Sequence, residues 1–86
     1  MPRISEFYGI AIYMYYEDHA PPHFHAMYAQ YEVLIAIGNG DVLHGSMPPR
    51  ALRLVREWRA TYRLELERDW ALARRHERLE LIPPLS

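Results

Sequence analysis

The chain contains no cysteine, so it has neither a disulfide framework nor a thiolate zinc cluster, and thiol redox chemistry is excluded. Stability must come from burial, with or without the help of a partner. Lysine is missing as well. All ten basic residues are arginine, set against eleven acids for a formal net charge of -1, so the basic excess of a general nucleic-acid binder is absent. Long apolar runs are lacking too. Phe7 to Tyr16 is the longest, carries four tyrosines, and runs into Glu17-Asp18-His19 with no small-residue cleavage signal, which argues against a targeting or membrane segment. A soluble, cytoplasmic protein is expected. Serine is confined to Ser5, Ser46 and Ser86, and no Gly-x-Ser-x-Gly elbow or glycine-rich phosphate loop occurs. Nucleotide-dependent and acyl-transfer enzymes of the familiar kinds are therefore disfavoured.

What is present fits a single folded domain over residues 1–86, half hydrophobic and a quarter charged, far from a disordered composition. Period-two patterning fills the first half, with strands over about residues 8–46. Ile10, Ile12 and Met14 alternate with Ala11, Tyr13 and Tyr15. Phe24, Ala26 and Tyr28 alternate with His23, His25 and Met27. Val33, Ile35 and Ile37 share a face of the next run. Short links at Ala29-Gln30 and Gly38-Asn39-Gly40 leave no room for crossovers, so neighbouring strands are antiparallel. Helices follow over about residues 48–75, with Ser46 expected as N-cap. Ala51, Val55, Trp58, Tyr62, Leu66, Trp70 and Ala73 form one stripe. A single helix of about 26 residues would run about 40 Å, against a sheet about 20 Å across. A break near Thr61-Tyr62 is therefore expected, and Pro83-Pro84 makes the tail at 82–86 extended. The predicted fold is α+β: a small antiparallel meander of three to four strands followed by two packed helices.

The densest chemical signal is Asp18-His19-Ala20-Pro21-Pro22-His23-Phe24-His25. His23 and His25 are two apart on a strand and so project from one face, about 7 Å apart. Two imidazoles placed this way suit one divalent metal such as zinc, with Asp18, Glu17 or a residue from a neighbouring strand as a third ligand, or an acid and base pair. His19, held by the proline pair, joins His23 and His25 as a catalytic candidate. The plainer reading has each histidine solvated or bonded to a loop carbonyl.

Arg50, Arg53, Arg56, Arg59 and Arg63 fall on the arc of the first helix opposite Val55 and Trp58. They form a ridge able to bind an acidic protein partner or phosphates through Arg50, Arg53, Arg56 and Arg59, unless it is simply a solvated face. Strand tyrosines without interleaved Arg fit cross-strand packing better than base stacking.

The opening Pro2-Arg3-Ile4-Ser5 with Phe7-Tyr8-Gly9-Ile10, the block Asp18-His19 with Pro21-Pro22-His23-Phe24-His25, Gly45-Ser46 with Pro49-Arg50-Ala51-Leu52, and Glu57-Trp58 followed by Trp70 together resemble the bacterial family called domain of unknown function 4160. That resemblance implies no established activity. It implies a small bacterial protein encoded beside another small protein, in an arrangement like that of toxin–antitoxin pairs. Met27 and His44 depart from the family pattern, so His44 is not counted in an inherited site. The leading expectation is a protein-binding module of such a pair, with a homodimer compatible. The alternatives are a small histidine- or metal-dependent enzyme acting on nucleic-acid phosphodiesters and a DNA-binding regulator.

Overall fold

The computed structural model describes residues 2–16 and 18–86, and the candidate ligand Glu17 lies outside them. Five strands, β1 (Arg3–Phe7), β2 (Ile10–Tyr13), β3 (His23–Tyr28), β4 (Tyr31–Ala36) and β5 (Val42–Gly45), are followed by helices α1 (Pro49–Thr61) and α2 (Arg63–Arg74). The strands form one antiparallel sheet in the order β1-β2-β3-β4-β5. This is the expected α+β meander, with one strand more than the sequence pattern indicates. The extra strand is β1. A register shift between Arg3 and Ser5 puts both Ile4 and Ser5 in the interior, which erases the alternation that reveals a strand. Its turn to β2 is tight: Tyr8 and Gly9 both have positive φ, the conformation a two-residue hairpin requires.

One sheet face carries Ile10, Ile12, Phe24, Ala26, Val33 and Ile35, all fully buried. Trp58 of α1 lies against them, its ring 5.5 Å from Phe7 and 5.6 Å from Phe24. Each fully buried aliphatic or aromatic side chain contributes about 1.5–3 kcal/mol by leaving water. The opposite face is left half-exposed.

The helices separate at Tyr62, as the length argument expects. A straight helix over both would be about 39 Å long, whereas the molecule measures 33 Å along its longest axis. Neither glycine nor proline makes the break. Tyr62 turns the chain at φ -114°, ψ 28° while its N–H still donates to the Trp58 carbonyl. The α1 start differs from expectation. Pro48 occupies the N-cap position with no side-chain cap, and Ser46 instead donates its backbone N–H to the Glu32 carbonyl. Two prolines at the helix start leave fewer N–H groups to cap, so a serine cap gains less there.

The tail returns to the body. Ile82 is buried and donates its N–H to the Ile4 carbonyl at 2.8 Å, and Trp58 Nε1 donates to the Pro83 carbonyl at 2.8 Å. Among the described residues, no helix is long and apolar enough to cross a membrane.

Candidate metal centre

On β3, Phe24 and Ala26 point into the core, so His23 and His25 point to the other face. Their ring centres are 5.3 Å apart, closer than an ideal strand spacing. The loop before β3 brings Asp18 back over them. Its Oδ2 lies 3.0 Å from Nε2 of His25 and 3.1 Å from Nε2 of His23. The three side chains thus present one oxygen and two nitrogens, all within 4.8 Å of one another.

The other ring nitrogens are already committed. Nδ1 of His23 donates to the Pro21 carbonyl at 2.8 Å, because a carbonyl can only accept. In the neutral ring this leaves the lone pair on Nε2. That nitrogen is buried without a hydrogen-bond partner, its closeness to Asp18 notwithstanding. His25 lies between two carboxylates, its Nε2 3.0 Å from Oδ2 of Asp18 and its Nδ1 3.2 Å from Oε2 of Glu32. A neutral ring donates to one of them, and the tautomer that donates Nδ1–H to Glu32 frees Nε2 to ligate. Imidazole Nδ1 atoms held by a carbonyl and a carboxylate, with both Nε2 atoms converging, are the pattern that orients histidine toward a metal.

The separations suit an ion. Bonds of about 2.0–2.2 Å at angles between about 90° and 109° place neighbouring ligand atoms about 2.9–3.5 Å apart, and both Asp18–His distances fall in that window. Burial raises the Asp18 carboxyl, but the hydrogen bond from His25, the charges of His23 and His25 and the backbone N–H of His19 outweigh it and hold the group below its usual range. Tyr15 sets its ring edge-on to His25 at 4.4 Å. Burial first, then the charges of Glu32, Tyr13 and Asp18, raises its phenol above the ordinary value. Trp70 of α2 closes the side next to His23, 5.4 Å between ring centres. Beside the cluster, a cleft of about 390 Å³ is lined by Asp18, His19, Ala20 and Arg74.

The remaining sequence candidates are placed elsewhere. His19 is exposed and lines the cleft without joining the three-atom cluster. His44 sits exposed on β5 opposite Leu34, and His76 stacks on Tyr16. Arg56 donates Nε to the Gly40 carbonyl, and Arg59 donates to the carbonyls of Ile37 and Gly38. Two members of the expected ridge therefore bind the β4–β5 turn instead of standing clear of the surface. Arg53 is exposed on α1, Arg63 pairs with Glu67, and Arg50 lines a larger groove of about 530 Å³ with Tyr8, Ile10, Tyr28 and Leu85.

Sequence reasoning missed Glu32, Trp70, Tyr15 and Arg74. Glu32 was within reach of it. The two-residue link Ala29-Gln30 pairs Tyr28 with Tyr31, which sets Met27 opposite Glu32 and makes Glu32 the diagonal neighbour of His25 on the same face. Nothing local marks Trp70 or Arg74, because their place depends on how α2 meets the loop.

No curated protein and no solved structure matches the chain. A family model described as domain of unknown function (DUF4160) matches residues 9–71, a span that contains Asp18, His23, His25 and Glu32 and stops short of Arg74. The match covers most of the sequence, and the chain belongs to that family.

Proposed function

We propose that this chain binds one divalent transition-metal ion, zinc foremost, through Asp18, His23 and His25. The observation that carries the reading is Nε2 of His23, a buried nitrogen without a hydrogen-bond partner whose tautomer is fixed by the Pro21 carbonyl and which faces Oδ2 of Asp18. With Nδ1 of His23 holding the proton of the neutral ring, its Nε2 and Oδ2 of Asp18 both present lone pairs, which a metal ion between them satisfies. Mixed imidazole and carboxylate donors suit zinc and its neighbours and are poor for calcium or magnesium. Three protein ligands leave a further position for water or substrate, the arrangement of catalytic zinc sites and not of structural ones. Such an ion acts as a Lewis acid and lowers the pKa of bound water.

Calorimetry with zinc, nickel and manganese tests this. One ion per chain is expected, with binding lost in Asp18→Ala, His23→Ala and His25→Ala. Silence with all three metals, or unchanged binding in His23→Ala, defeats the reading.

A second reading, the protein-binding half of a two-gene pair resembling a toxin and its antitoxin, is favoured by the half-exposed sheet face. That face carries Tyr13, Met27 and Leu34, beside exposed Val42 and Leu43. Apolar side chains grouped on an uncovered face mark contact surfaces. Co-purification with the adjacent gene product, abolished by Leu34→Arg, is the expected result, and failure to co-purify at low salt counts against it.

A further inference from the structure

We infer that the metal centre takes a phosphate monoester, held between the ion and Arg74; this rests on the metal reading above and names its ligand class. The cleft over Asp18 is lined by Arg74, the last residue of α2, and by His19. Among the described residues, Arg74 forms no salt bridge, whereas Arg3, Arg63, Arg68 and Arg75 each do.

Charge decides the sign of the ligand. With both imidazoles neutral and no ion, the cleft sets the negative charge of Asp18, with Glu32 behind His25, against the positive charge of Arg74, and an anion is not favoured. A divalent ion at the three ligand atoms reverses the balance, so the cleft becomes cationic only when loaded. Anion binding is therefore conditional on metal.

Oxygen count narrows the class. A planar guanidinium engages two oxygens at once, and the ion needs one more. A phosphate monoester has three terminal oxygens to serve both. A carboxylate has two, and a phosphodiester offers only two non-bridging oxygens, so either must give up one of these bonds. The cleft volume of about 390 Å³ accommodates a phosphoryl group with a small ester substituent, at the low end of ligand-pocket sizes.

The test is titration of the full chain, loaded with one equivalent of zinc and freed of excess metal, with inorganic phosphate, phenyl phosphate, a dinucleotide and acetate. Phenyl phosphate should bind the loaded chain and not the metal-free chain. Arg74→Gln should weaken it by about tenfold or more, as loss of a charge-assisted bidentate contact does, with zinc stoichiometry unchanged. Arg74→Lys should restore only part of the loss. Phenyl phosphate binding at least as tightly as inorganic phosphate identifies an ester, and the reverse order identifies the free ion; both support a ligand with three terminal oxygens. The inference is overturned if phenyl phosphate fails to bind the loaded chain, if Arg74→Gln binds it like wild type, or if acetate or the dinucleotide binds more tightly. Absence of zinc binding in the first step is a different result, since it removes the metal reading itself.

Discussion

Gly45 adopts φ +82°, and a Cβ there would collide with the Glu32 carbonyl oxygen across the β4–β5 pair. Only glycine meets both conditions. Gly45→Ala should therefore lower stability by about 2 kcal/mol or more, read as a shift of the denaturant midpoint, and an unchanged midpoint would contradict that packing. Asp69 poses a different problem. It is only 1% exposed, its Oδ1 accepts the Glu80 N–H, and its Oδ2 has no partner. Burial, with the Glu80 charge adding and the Glu80 N–H and Arg68 opposing, pushes its carboxyl from 3.8 to about 6. Between those values the folded chain holds a proton that the unfolded chain has released. Its contribution is full below pH 3.8 and is lost as pH rises through about 6. Asp69→Asn, which stays neutral, should gain on wild type by about 2–3 kcal/mol between pH 4 and pH 7 in denaturant unfolding. A stability difference that does not change with pH would refute this.

At the scale of elements, Trp58 joins α1, the sheet and the tail. Its ring packs on Phe7 and Phe24 and its Nε1 donates to the Pro83 carbonyl. Trp58→Phe keeps most of the packing and should cost about 1–2 kcal/mol, whereas Trp58→Ala should cost about 3–5 kcal/mol. A Trp58→Phe chain as stable as wild type would mean that the tail contact contributes nothing. Periodicity located the strands and the helical stripe because each apolar residue on those faces is buried for the same reason. It failed where the reason changes. The bulge after Arg3 hid β1, and the helical wheel gave the angles of Arg56 and Arg59 but not their reach to the turn carbonyls of Ile37, Gly38 and Gly40. A long side chain can turn back onto its own protein, so angle alone does not make a surface ridge.

Taken whole, the molecule buries one face of its sheet beneath α1 and sets its polar cluster on the other, where Trp70 of α2 reaches it. His23 and His25 were readable as neighbours from strand alternation, and Asp18 from its nearness in sequence. The supporting Glu32, Trp70 and Arg74 were not, since they arrive through strand register and the docking of α2. If the cluster binds metal only when folded, saturating zinc at 100 times its dissociation constant should add about 2.7 kcal/mol. That raises the melting temperature by roughly 10 °C or more in a domain this small, reversibly with chelator. The most direct measurement is X-ray absorption of the chain loaded with one equivalent of zinc. A first shell of two imidazole nitrogens and one carboxylate oxygen, completed by water at about 2.0–2.2 Å, is the result expected. A shell without two imidazoles, or one unchanged in His23→Ala, would contradict a centre built by Asp18, His23 and His25.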